Sequence, residues 1–277
     1  GFIQLWTAGM RAETITRLTA APSDVRGKLY GSIFGMPQAY RSLPLVDYAP
    51  ATVPGLIDHY HEWLKHPALD EYWEQVRIES KYEQMDVGAL HIGGWYDIFL
   101  EGTLRNFVGM RTKGKTARAR QQQRLIVGPW LHGLFDRVVG EVDFGPSVLL
   151  DAVDLGGQHL QWFGHCLQGQ PDNGAPVRIF VMGANVWRNE NEWPLARAVS
   201  TRYYLTSGSA ANSARGDGQL LTQTPVREAS DTFLYDPERP VPSRGGCTLM
   251  PGAQSAGPRD QRPVEERDDV LVYTSAP

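Results

Sequence analysis

Two short apolar runs stand out near the middle of the chain, Val87 to Gly93 and Arg124 to Val127, and each stops at a breaker, Gly94 in one case and Gly128-Pro129 in the other. Continuous apolar runs of this length bounded by turn residues predict strands buried on both faces. Between them Phe99, Leu100, Leu104, Phe107 and Val108 share one face of a predicted helix over Phe99 to Met110. Strand, helix and strand in this order make a right-handed crossover with two parallel strands. A further helix is predicted within Leu149 to Leu167, and Val177 to Gly183 predicts another strand. Residues 85–197 therefore read as the carboxyl-terminal half of an α/β sheet.

The flanks differ. Residues 1–84 are mostly helical in pattern: apolar positions recur at helix spacing from Val53 to Leu64, with Pro54 suited to a first turn, and His66-Pro67 breaks the run. Asp70 to Trp73 and Val76 to Tyr82 suggest another short helix. Beyond about residue 197, Thr201 to Leu205, Asp231 to Tyr235 and Val270 to Tyr273 alternate between clusters of Gly, Ser, Pro and Asn. Short alternating strands with turn-rich links predict the start of an all-β domain over 198–277. The basic stretch Arg111 to Arg124, with Lys113, Lys115, Arg118 and Arg120, reads as a solvated loop.

Composition narrows the function classes. At 277 residues, 42% hydrophobic and 10% aromatic, the chain can build a packed core. Twenty-seven basic against 31 acidic residues give a net charge of −4 with no long basic block, which argues against a nucleic-acid partner. The longest apolar runs fall far short of the roughly 20 residues that span a bilayer, so no membrane crossing is expected. Cys166 and Cys247 are two isolated cysteines, which argues against a disulfide framework or a thiolate metal site. The chain starts at Gly1 with no charged-then-apolar leader, which favours the cytoplasm, and it reads as the interior of a longer protein.

The chemistry lies just past the two strands. Asp97 follows Gly93-Gly94-Trp95-Tyr96, and His132 follows Val127-Gly128-Pro129-Trp130-Leu131. Reactive groups of an open parallel sheet gather at the carboxyl ends of its strands. One crossover apart, the two side chains can meet. An aspartate bonded to one imidazole nitrogen fixes the tautomer and stabilises the cation formed when the other nitrogen takes a proton. Trp95, Tyr96, Phe99 and Trp130 suggest an aromatic, poorly hydrated cleft around the pair. The same residues also fit a plainer reading, with Asp97 capping the following helix and His132 a polar turn residue.

Other histidines carry less. His59, His61 and His66 do not share a helical face and no His-Glu-x-x-His pattern occurs, so no metal site is expected. His91 reads as a satisfied core residue, while His159 and His165 have no partner suggested by sequence. The strained turn Gly-x-Ser-x-Gly that exposes a serine nucleophile is absent. Gly31-Ser32-Ile33-Phe34-Gly35 has its serine in the second place and no strand before it.

Several motifs, in order, resemble the family of cocaine esterases, X-Pro dipeptidyl-peptidases and α-amino-acid ester hydrolases. Gly-Gly-Trp-Tyr-Asp at 93–97 and Val-Gly-Pro-Trp-x-His at 127–132 are similar to its acid and histidine motifs. Val177 to Gly183 with Trp187-Arg188 and Trp193-Pro194 follow, then Phe233 to Pro237, Pro240-Val241-Pro242, Gly245-Gly246 and Gly257-Pro258-x-Asp260-Gln261-Arg262. The resemblance implies the carboxyl-terminal part of an α/β-hydrolase sheet with a helical cap, then the beginning of a β jelly roll. It carries the acid role to Asp97, the base role to His132 and an acyl-pocket position to Phe99. Leu249 and Met250 fall roughly where a jelly-roll loop approaches that pocket. The family's serine, its elbow and its oxyanion tyrosine have no counterpart, so these 277 residues are expected to be inactive alone.

The expected function is hydrolysis of a small-molecule ester or a peptide through an acyl-enzyme, without cofactor, by a serine hydrolase of esterase or dipeptidyl-peptidase type. The alternatives are a related amidase or acyltransferase, or a non-catalytic module whose aromatic cleft binds a ligand. Self-association into a homo-oligomer stays open.

Overall fold

The computed structural model describes residues 23, 24, 27, 44–48, 58–172, 174–226, 229–248 and 256–276. The chain divides into two units, 1–80 and 81–277. In the first unit, helix α1 (Asp58–Lys65) stops just before His66-Pro67, because a proline disfavours helical backbone in the residue before it. The part of the predicted Val53–Leu64 helix ahead of Asp58, and Ser32, lie outside the described residues. Asp70 caps α2 (Glu71–Glu74), accepting from the Tyr72 N–H at 3.1 Å and from the His66 ring at 2.6 Å. Trp63, Tyr72 and Trp73 pack on one another, with ring centroids 5.9 Å apart for Trp63 and Trp73 and 5.0 Å apart for Tyr72 and Trp73. The buried Tyr60 donates its hydroxyl to the Leu45 carbonyl at 3.0 Å.

The second unit is organised by the two apolar runs. They form β1 (Ala89–Tyr96) and β2 (Gln123–Leu131), paired in parallel, with α3 (Leu100–Lys113) as the crossover. The fold class is α/β. Strand β2 sits between β1 and β5 (Val177–Val181), its two parallel neighbours, and is buried from Gln123 to Trp130, as a strand covered on both faces must be. Side chains alternate across it. Leu125 and Val127 join Phe107, Val177 and Ile179 under α3, whereas Ile126 and Trp130 join Val153 and Leu155 on the opposite face.

The stretch read as a solvated basic loop contains helix α4 (Ala117–Gln121), started by Thr116, whose hydroxyl accepts from the Ala119 N–H at 3.1 Å. Beyond it Arg124 is buried and paired with Asp172, so it serves the core rather than the solvent. After the small hairpin of β3 (Val138–Val139) and β4 (Val142–Asp143), the helix predicted within 149–167 divides into α5 (Leu150–Val153) and α6 (Leu155–Gln168). Asp154 breaks it with a left-handed φ of 52°, and its carboxylate caps the second piece through the Gly157 N–H at 3.1 Å. Strand β6 (Val186–Glu190) was not predicted; it pairs antiparallel with β5 at the sheet edge, where polar side chains face outward and hide the strand pattern.

Further on, β7 (Tyr204–Thr206), β8 (Gln219–Leu221) and β9 (Thr274–Ser275) make a second, three-stranded sheet, with helix α7 (Arg262–Glu265) before β9. The alternating segment Asp231 to Tyr235 forms no strand. Its first residue is engaged sideways: the Asp231 carboxylate accepts from the Ser207 hydroxyl at 2.7 Å, the Ala211 N–H at 2.9 Å and the Tyr273 hydroxyl at 2.7 Å. Val270 to Tyr273, expected as a strand, instead meets the loop around Ala211 through single contacts such as Val272 N–H to Ala211 C=O at 2.8 Å.

Candidate active site

The pairing of β1 with β2 sets the site. The strands run in register to Gly94 opposite Gly128, then shift so that Tyr96 faces Leu131, leaving one extra residue on β2. Pro129 lies in that interval and has no N–H for the ladder, which suits a bulge. A β-carbon on Gly94 would overlap the Trp130 carbonyl, so the close crossing requires glycine there. Both strands then end one residue before their polar side chain.

Asp97 stands in a tight turn, its N–H donating to the Gly94 carbonyl at 3.0 Å and its carbonyl accepting from Leu100 N–H at 3.1 Å. His132 follows β2 in a turn closed by the Leu131–Leu134 bridge, with Gly133 at φ 67°. The two side chains meet. His132 Nδ1 lies 3.2 Å from Asp97 Oδ1 and 3.1 Å from Oδ2. A carboxylate only accepts, so the proton belongs on Nδ1 and Nε2 is the nitrogen left to receive one. Oδ1 also accepts the Phe99 N–H at 2.8 Å, which fixes the carboxylate on its own turn. The plainer reading of Asp97 as the cap of the following helix is not met, since Phe99 is the N-cap of α3 and no side chain caps it; Asp97 Oδ1 bonds the Phe99 N–H of the turn before the helix.

The aromatic residues divide. Phe99 packs edge-on against the His132 ring with centroids 5.0 Å apart. Trp95 instead donates its indole N–H to the Phe180 carbonyl at 2.7 Å and packs on Trp193. Trp130 is 0% exposed, held by Phe135 and Trp187, with its indole N–H on the Val148 carbonyl at 2.8 Å. Trp130 is therefore core and not cleft wall. The expected dry cleft is open on the described surface: the His132 side chain is 42% exposed, that of Asp97 15%. Leu249 and Met250 lie outside the described residues.

The remaining histidines have structural partners. His91 donates Nε2–H to Gln123 Oε1 at 2.9 Å, and burial pushes its imidazole below the ordinary 6.5. His159 and His165 hydrogen-bond the carbonyls of Leu155 and Gln170 through Nδ1. Among the described residues no group of three or more His, Cys, Asp or Glu is placed to hold a metal ion, and no helix is long and apolar enough to cross a membrane. One neighbour of the pair had no local signal. Cys247, 152 residues after Trp95, points its thiol at the Trp95 carbonyl, 3.6 Å away.

Sequence comparison gives this geometry a context. Residues 5–134 match the X-Pro dipeptidyl-peptidase (S15) family, and residues 170–277 match the X-Pro dipeptidyl-peptidase C-terminal non-catalytic domain. The chain belongs to this family of hydrolases. It is 37% identical over 226 residues to the cocaine esterase of Rhodococcus sp. (strain MB1 Bresler), a match covering 80% of this chain and 38% of that protein. The chain thus spans well under half the length of this relative. Among solved structures, an aminopeptidase from a marine sediment Thaumarchaeota archaeon superposes with a TM-score of 0.64 over 86% of this chain and 39% of its own, at 22% identity. An α-amino acid ester hydrolase superposes with a TM-score of 0.61 over 89% and 39%, also at 22% identity.

Proposed function

We propose that this chain supplies the acid and the base of a serine hydrolase that cleaves an ester or amide through an acyl-enzyme. The observation that carries the reading is the hydrogen bond between Asp97 and His132 at the ends of adjacent parallel strands. In it, His132 Nε2 takes the proton of a serine hydroxyl as that oxygen attacks the substrate carbonyl. Asp97 holds Nδ1–H and stabilises the imidazolium. The imidazolium then returns the proton to the departing alcohol or amine, and a second round with water releases the acid. No Gly-x-Ser-x-Gly turn occurs in the 277 residues, so the serine is assigned to sequence outside them.

The proposed architecture is a helical cap over 1–84, the α/β-hydrolase core over 85–197 and the beginning of a jelly roll over 198–277. Phe99, edge-on to His132, is assigned to the pocket wall that meets the acyl group, which favours an apolar acyl or aryl substrate over a charged one. The test uses the product of the complete reading frame that encodes this chain. A fluorophosphonate probe should label one serine in it, and His132→Ala should abolish both labelling and ester turnover with the fold intact. Absence of labelling in the unmutated protein, or full turnover in His132→Ala, would overturn the reading.

A further inference from the structure

A cavity on the face of the sheet opposite α3 has no part in the steps above. Its floor is a row of cross-strand neighbours: Ile126 on β2 pairs with Arg178 on β5, and Arg178 pairs with Asn189 on the edge strand β6. Side chains alternate along a strand, so Arg124, two residues before Ile126, and Trp187, two before Asn189, belong to the same side. Helix α6 brings Gln158 and Gln161 to that side, and the residues together line a cavity of about 450 Å³.

Two cations share this cavity. Arg124 is 5% exposed and gives Nη2 to the Asp172 carboxylate, while its other donors meet no acceptor among the described residues. Arg178 stacks over the Trp187 ring, 5.0 Å from its centre, and donates Nη1 to the Val153 carbonyl at 3.4 Å. The ring beneath it is fixed, because its indole N–H bonds the Ser147 carbonyl at 2.9 Å and it packs on Trp130 and Phe180.

The charges do not balance. Arg178 has no carboxylate partner among the described residues, and no carboxylate lines the cavity among them. Asp172 offsets one guanidinium of the two. Burial pulls the Arg178 guanidinium below its ordinary value, as it does for a cation taken from water without a counter-charge. A guanidinium is a planar fork of donors that matches two oxygens of one carboxylate or phosphate.

We propose that this cavity is a binding site for a small oxyanion, a carboxylate or phosphate group held by Arg178 and Arg124, with the exposed amides of Gln161 and Asn189 at its mouth. Arg124 lies near the amino end of β2 and His132 just past its carboxyl end, on the order of 25 Å apart at strand spacing. The anion therefore touches neither Asp97 nor His132, and the proposal does not rest on the hydrolase reading.

Isothermal titration calorimetry on the complete reading-frame product tests it, with inorganic phosphate, pyrophosphate, acetate and citrate as titrants at constant ionic strength in chloride. At least one should bind at a single site. Binding of the phosphates alone assigns a phosphate ligand, binding of acetate or citrate alone a carboxylate, and binding of both kinds leaves the site open to either source. Arg178→Met should weaken that binding about tenfold or more, the effect of losing one charge-assisted hydrogen bond, and Arg178→Lys should fall between.

Arg188→Met, an exposed position of β6 outside the cavity, should bind as the parent does. Should Arg178→Met fail to fold, Asn189→Asp serves instead: it sets a carboxylate on the exposed mouth and should also weaken binding about tenfold. No binding of any titrant would overturn the proposal. So would parental affinity in the folded Arg178→Met or in Asn189→Asp, or an equal loss in Arg188→Met, which marks general attraction of anions to the surface.

Discussion

The backbone of Gly94 lies against the Trp130 carbonyl so closely that no β-carbon fits between them. This contact fixes where β1 crosses the bulge of β2, three residues before Asp97 and two before His132. Gly94→Ala should therefore cost stability and geometry together. A loss of about 1–3 kcal/mol is expected from overpacking alone, read as the free energy of urea unfolding. Turnover should fall further than that loss explains, because the strand must shift to admit the methyl group.

Phe99 and Trp130 test which aromatic residues face the substrate. Phe99→Ala, at a position 46% exposed, should leave the melting temperature nearly unchanged and raise KM for aryl esters. Trp130→Ala should do the reverse, losing about 3–5 kcal/mol of stability with KM little altered wherever the fold survives. Equal effects of the two on KM would return Trp130 to the pocket wall.

His91 gives the α/β unit a pH dependence. Its imidazole is pushed below 6.5 by burial, the hydrogen bond it donates to Gln123 only partly offsetting this. The unfolded chain then binds a proton that the folded one resists, so stability is fully present above about 6.5 and declines as the pH falls through the interval below it. His91→Gln should flatten that decline. Urea midpoints measured from pH 7.5 to 5 should converge for mutant and parent at the acid end, and parallel curves would refute the assignment.

Strand β2 was legible because an element buried on both faces must be apolar throughout, whereas β1 is only partly buried outside Gly93-Gly94 and was legible from its apolar run alone. Gly93-Gly94 and Gly128-Pro129 mark the shift in pairing, and the strands run on past them to Tyr96 and Leu131. Edge strand β6 was not legible, since the exposed Arg188 and Asn189 and the ion-paired Glu190 leave no apolar alternation. The alternation at Asp231 to Tyr235 misled because one carboxylate with three donors outweighs a marginal strand preference. Trp130 was misplaced because it is still inside β2, where Phe135, Trp187 and the Val148 carbonyl enclose it, whereas His132 lies in the turn past the end of the strand. The contact of Cys247 with Trp95 spans 152 residues, and nothing local announces it.

The central claim is that Asp97 orients His132 for proton transfer. Asp97→Asn keeps the size of the side chain and its acceptor for the Phe99 N–H, but it offers His132 Nδ1 an amide in place of a carboxylate. The decisive measurement is the pre-steady-state acylation rate with p-nitrophenyl acetate, taken on the complete reading-frame product and its Asp97→Asn variant. The account predicts a fall of about four orders of magnitude with an unchanged melting temperature. Acylation of the variant at the parent rate would contradict it.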